Sequence, residues 1–427
     1  MSLMFIIANR AMPCCSFTDA LYAKYGEEME DKGCNPCEIF VVGSAPGRSS
    51  PSGRLIIPRA LTLNCCGIEN AGSQRTIEEL CHDVEELDLA QNQLNDLKEV
   101  NYIISKMPNL WFLNLSHNDM EDTVPVHMDK ALNVKSLILN HTYVPWTVVN
   151  SLLDAMPNVR ELHLSLNDYE SVDLDPKRPY NNLRTLHISG NPLHSWEEVT
   201  HLGQCFPFLD TLIMANCSII SIPDPSLWRN NFQHLKSFSM KNGALKEWKD
   251  IEKLNSFFKL EDIRLQGVLV LEELSEKERR QHLIARLPHA KILNGSAITG
   301  KEREDAERAF IRYFLDKEDR PQRFYELEAI HGKLDPLVNI DLSPKKTACV
   351  HIRYQEYCET RVINLQHSVR DLKVQFSEIC NISPTKMRVF YIDKELVGHG
   401  PEELRYNTKK LYTYMIQDGD EFLVDRK

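Results

Sequence analysis

No stretch of this 427-residue chain approaches the roughly 18 consecutive apolar residues that cross a membrane, so a membrane partner is not expected. Positive charge is outnumbered. Lys and Arg number 50 against 61 Asp and Glu, a net of −11, which argues against a nucleic-acid footprint. The same balance disfavours unaided attraction to anionic membranes or acidic protein tails. There is no Gly-x-x-x-x-Gly-Lys-Ser/Thr loop to cradle a phosphate and no Gly-x-Ser-x-Gly elbow to expose a nucleophile. Ser, His and Asp residues are scattered, so the chain is not expected to be an enzyme or to need a cofactor. The apolar start, MSLMFIIA, lacks a basic segment and a long apolar core, and does not read as a secretory signal.

The 12 cysteines follow no even framework. Cys65, Cys66 and Cys217 fall inside apolar repeats, where a free thiol acts as a small hydrophobe. A reducing compartment, the cytoplasm, is the expectation. Cys34 and Cys37 have a zinc-like or redox-like spacing, with Cys14 and Cys15 upstream, but no second such pair follows and no metal is expected there.

What the chain does have is one phrase repeated from Leu61 to Leu265: an apolar residue, two variable ones, then Leu-x-Leu-x-x-(Asn/Cys)-x-Leu. One leucine-type position of each copy falls at Leu61, Leu87, Leu113, Leu137, Leu162, Leu186, Leu212, Phe238 and Ile263, spaced by 24 to 26 residues. This is a leucine-rich repeat, and it predicts an α/β solenoid, a horseshoe with a concave parallel sheet. Such an array offers an extended surface and rarely a catalytic pocket. The position-six residue (Asn92, Asn118, Asn167, Asn191) is expected to bond the turning backbone of neighbouring units. Thr142, Cys66 and Cys217 replace it elsewhere, and Gly243 and Val268 depart from it, so the later coils should be less regular.

Between strands, Leu97, Trp146, Trp196 and Trp248 open segments of helical period. The first three run to Pro108, Pro157 and Pro207, which return the chain to an extended form. Ser195 with Glu198, and Thr299 with Glu302, have capping-box spacing. A helix from about residue 300 to 315, with Ala306, Phe310, Tyr313 and Phe314 on one stripe, is predicted to close the open end of the solenoid.

The predicted organisation is an N-terminal extension over 1–56, with a short helix near 17–29 and a flexible stretch over 43–53. The repeats and cap follow over 57–315, then a polar linker over 316–346 with room for one short helix, and a last domain over 347–427. That last segment reads as strands at 348–354, 360–365, 387–392 and 418–424, with a helix from Val369. The order matches an α+β ubiquitin-like β-grasp domain.

The closing phrases KLNSFFKLEDIRL (253–265), ARLPHAKILNGSAIT (285–299) and EREDAERAFIRYF (302–314), followed by a ubiquitin-like segment, resemble the tubulin-folding cofactor E family over residues 57–427. Within it the chain is similar to the shorter branch without a CAP-Gly domain, since the Gly-Lys-Asn-Asp-Gly motif is absent. The resemblance implies a tubulin-binding regulator of the cytoplasm and cytoskeleton. It would engage the α-subunit and reduce the microtubule-forming pool, by destabilising or sequestering heterodimers. Two other readings are an adaptor that delivers a client to the proteasome through the ubiquitin-like domain, and a general interaction scaffold.

Side chains that alternate with the inward leucines should line the concave face. Phe112, Ile138 and Ile213 are apolar members of these columns, beside Glu161, His163, His187 and Arg264, a mixture that suits protein binding. His163 and His187 fall in register near Glu161, but with no third ligand of suitable spacing they read as ordinary surface histidines. In the last domain Phe390 falls where ubiquitin carries the isoleucine at the centre of its binding patch, and Asp425 near its patch valine. The chain ends without a diglycine, so conjugation through that end is not expected.

Overall fold

The computed structural model describes residues 15–26, 55–336, 345–394 and 400–427. The Cys34/Cys37 pair, Cys14 and the 43–53 stretch lie outside them. The chain divides into two compact units, Met1–Pro336 and Leu337–Lys427, with separate cores.

The first unit is built on an 11-stranded sheet. Successive three-residue parallel strands run from Ala60–Thr62 to Asp262–Arg264. Register pairs Leu61 with Leu87 and continues through Leu113, Leu137, Leu162, Leu186, Leu212, Phe238 and Ile263 to Leu293. Each of these side chains is buried. Full burial of such a side chain contributes about 1.5–3 kcal/mol, so this single row is a large part of what holds the array together.

The asparagines do what their amides allow. Asn191 donates from Nδ2 to the carbonyls of Leu164 and Ile188 at 2.9 and 2.8 Å, and its Oδ1 accepts from the N–H groups of Asn167 and Tyr169. Asn92 repeats the pattern toward Leu63, Leu89, Cys66 and Ile68. Each buried amide thus satisfies backbone groups of two successive coils, groups that would otherwise sit unpaired in the core. Thr142 keeps part of this, donating to the Leu139 carbonyl.

Of the three cysteines expected inside the repeats, Cys217 is buried, but Cys65 is exposed and Cys66 only half-buried. Cys65 stands at the turn off its strand with φ of 56°, directed outward. The expected irregularity of the later coils does not reach the sheet, whose register is unbroken to Leu293. It is confined to the opposite side, where 3-10 turns at Pro225–Leu227 and Arg229–Asn231 replace a full helix.

Helices start at Leu97, Trp146, Trp196 and Trp248, as the periodicity predicts. Both capping-box assignments are corrected. Ser195 accepts from the Glu197 N–H, while the Glu198 carboxylate turns away and accepts from Val172 N–H in the preceding coil at 2.6 Å. Glu99 makes the same cross-coil bond to Ala71 N–H, and Asp250 to Ile222 N–H. The third residue of the helix is therefore a recurrent staple between coils. Thr299 does cap Glu302 N–H, but the Glu302 carboxylate pairs with Arg280 at 2.5 Å instead of closing a box.

Both ends of the array are closed. At the start, Cys15–Ser16 adds a strand beside Ile68–Asn70, and the helix Phe17–Tyr25 buries Phe17 and Leu21 in the solenoid core. Part of the expected N-terminal extension is thus a cap, and its helix ends at Gly26. At the far end, Ala306, Phe310 and Phe314 of the helix Gly300–Phe314 are buried. The expected linker is corrected here as well. Residues 316–336 belong to the first unit, and the helix Gln322–His331 places Phe324 and Leu327 in one cluster with Phe310 and Phe314.

The second unit is a five-stranded sheet around one helix, Val369–Cys380. Thr347–Tyr354 pairs antiparallel with Tyr357–Asn364 and parallel with the last strand, Glu421–Arg426. Met387–Ile392 joins on the other side. Gln355, at φ 54°, makes the tight turn that lets the second strand begin three residues earlier than its alternation suggests. This is the β-grasp arrangement of ubiquitin-like domains.

Candidate functional site

Alternation along each strand sends the residues flanking the buried leucine to the open side of the sheet. One row there runs Asn114, Ile138, His163, His187, Ile213, Ser239 and Arg264, each in register with the next. The middle of the row is Ile138, His163, His187 and Ile213, all half-buried. The imidazoles of His163 and His187 stack with centroids 3.9 Å apart and planes 9° apart. Phe112 lies one column over, beside the exposed Trp111, with ring centroids 5.8 Å apart.

Charged groups on this face are mostly paired. Asn114 donates to Asp88 at 3.0 Å at one end of the row. At the other end Arg264 approaches Asp262 at 3.6 Å, and Asp262 also accepts from Ser237. In the centre His163 Nε2 is 2.9 Å from Glu161 Oε1, and Ser136 donates to the other Glu161 oxygen at 3.4 Å. Burial, with His163 second, pushes the His187 imidazole down to about 4, so it is neutral at neutral pH. An apolar and imidazole centre beside mostly paired polar groups suits a protein-docking face, because its core desolvates cheaply.

Seven of the eight residues singled out in the sequence therefore share one sheet face. Phe390 belongs to the second unit. Its ring lies under the Arg388 guanidinium at 4.9 Å, and Arg388 is held by Glu403 at 3.0 Å. Arg388 and Arg405 hold the Glu403 carboxyl at about 2. Asp425 is the strand partner of Arg388. This apolar anchor is covered by charge, unlike a bare hydrophobic patch.

Sequence reasoning passed over a second histidine pair on the same side of the array. His117 and His141 lie 4.7 Å apart, and Tyr143 Oη is 2.7 Å from His141 Nε2. Both histidines hold positive φ at the turn that leaves the strand, a position shared by Cys65, Gln91, Leu166, Asn216 and Asn242. The signal was available as a fixed offset from each leucine pair.

Among the described residues no helix is long and apolar enough to cross a membrane. No family model matches the chain. It is 40% identical to the tubulin-specific chaperone cofactor E-like protein of Homo sapiens, over 96% of this chain and 98% of that one. The protein of the same description from Caenorhabditis elegans is 28% identical, over 97% and 95%. Tubulin-folding cofactor E of Arabidopsis thaliana is 26% identical, over 86% and 74%. Among solved structures, the C-terminal ubiquitin-like domain of mouse tubulin-specific chaperone e aligns with a TM-score of 0.19 at 16% identity, over 21% of this chain and 94% of that one.

Proposed function

The chain belongs to the tubulin-specific chaperone cofactor E-like family, and from that premise we propose that it is a non-enzymatic binder of tubulin that lowers the polymerisable pool. The observation that carries the reading is the end-to-end match to relatives named for tubulin, at 40% identity. The sheet face supports it: a continuous row with Ile138, His163, His187 and Ile213 at its centre fits a folded client better than a small substrate. In this proposal that face grips the body of one subunit, the α-subunit by the family resemblance. The ubiquitin-like unit, on the same chain, adds a second contact at high effective concentration.

The test is size-exclusion chromatography of the purified chain with tubulin heterodimer, followed by a polymerisation assay. The chain should co-elute with at least one subunit and reduce polymer mass without hydrolysing nucleotide. Ile138→Asp combined with Ile213→Asp should abolish co-elution while the circular dichroism is retained. Unchanged polymer mass with no co-elution would sink the proposal.

Delivery of a client to the proteasome is the weaker reading. The charged cover over Phe390 works against docking to receptors that grip a bare hydrophobic patch. Proteasome receptor binding by the ubiquitin-like unit, abolished by Phe390→Ala, would reverse that ranking.

A further inference from the structure

Glu161 and His163 are two residues apart on one strand and so project from one face, and parallel pairing sets His187 beside His163. The ligating atoms of the three side chains all lie within 4.8 Å of one another. A plain ion pair with Glu161 accounts for His163. It does not account for His187, whose ring nitrogens have no hydrogen-bond partner among the described residues although the side chain is half-buried. We propose that Glu161, His163 and His187 form a three-ligand site for a divalent metal ion of the zinc class, with the fourth position open toward the sheet face.

Two imidazoles and one carboxylate are a donor set suited to zinc, which binds each at about 2.0–2.2 Å. A tetrahedron with such bonds sets its donor atoms on the order of 3.4 Å apart. His163 Nε2 and Glu161 Oε1 at 2.9 Å would therefore move slightly apart, and any wider separation, up to 4.8 Å, would close, within reach of side-chain rotation that splays the stacked rings on a fixed sheet. An outer partner is already in place: the Ser136 hydroxyl holds Glu161 Oε2 and leaves Oε1 aimed at His163. Ile138 and Ile213 flank the pair in register.

The inference stands apart from tubulin binding, because the site is complete within one chain. It is tested by calorimetric titration of the chelator-stripped full chain with zinc chloride. Cobalt is the spectroscopic probe, and far-UV circular dichroism checks the fold of each variant. The expected result is one zinc per chain, weakened roughly tenfold or more by His187→Gln and by Glu161→Gln, which keeps the size of the side chain. Binding should survive Cys34→Ser with Cys37→Ser, and the cobalt spectrum should lack a thiolate charge-transfer band. Zinc uptake unchanged by both His187→Gln and Glu161→Gln would overturn the site. So would loss of uptake in the double serine variant, or no uptake below millimolar zinc.

Discussion

At the scale of single residues, the position-six asparagines are where chemistry and fold coincide most closely. Their role was legible because an amide offers two donors and an acceptor of two bonds, and a turning backbone needs both. Removing Asn191 strands the Leu164 and Ile188 carbonyls and the Asn167 and Tyr169 N–H groups in a dry interior. Asn191→Ala should therefore destabilise the first unit by about 3–5 kcal/mol, several times an ordinary hydrogen bond. Urea unfolding would show it, and a loss under 1 kcal/mol would mean that water replaces the amide. Glu198 was misread for a related reason. Its spacing from Ser195 is the same whether the carboxylate turns back to the cap or across to Val172 in the previous coil. Local spacing does not record which neighbour a coil will bring close. The stacking of His163 on His187 was only half legible: register placed them side by side, but Glu161 joining them depends on rotamers.

At the scale of elements, the strands and helix starts followed directly from period, whereas the terminal pieces did not. The prolines around 316–346 suggested a tether, yet Pro321 stands at the helix N-cap, where its missing N–H does no harm. Only the pairing of Phe324 with Leu327, three apart, gave the buried stripe away. The cap built from these helices carries a pH-sensitive weakness. His282 is buried on the helix Glu276–Arg286, against the rings of Trp248, Phe310 and Tyr313, and Arg286 donates to its Nδ1 at 3.0 Å. Burial first, then Arg286 and Lys317, push it down to about 4, with Glu278 opposing. Unfolded, the same imidazole titrates near 6.5. As pH falls from about 6.5 toward 4 the unfolded chain takes up a proton that the folded one refuses, so stability falls. The loss should reach on the order of 3 kcal/mol at pH 4, measured by denaturant midpoints, and His282→Gln should flatten that slope. An unaltered slope in the variant would assign it to other groups.

At the scale of the whole molecule, the two units differ in how their stability is assembled. The first is a stack of neighbour-to-neighbour contacts closed by Phe17 and Leu21 at one end and by Phe310 and Phe314 at the other. The second gathers Val350, Ile352, Phe376 and Phe422 around one small core. Because no buried residue is shared between the two cores, residues 345–427 should fold alone and melt cooperatively. The full chain should then give two calorimetric transitions, one matching the isolated piece; a piece that shows no cooperative melt would contradict this. The β-grasp order was readable from alternation alone, but the charged cover of Phe390 was not, since Glu403 reaches it from a strand of two residues.

The chain spends 26 residues from Leu61 to Leu87 and only 24 from Leu113 to Leu137, yet the strands return to one register every time. The open face is thus a ruler, graduated once per strand at about 4.8 Å, and the far side of each coil is its slack. Lengthening a back-side turn leaves every graduation where it was. A single residue added inside a strand would instead turn that strand's leucine out of the core and carry Ile138, His163 and their neighbours off the scale.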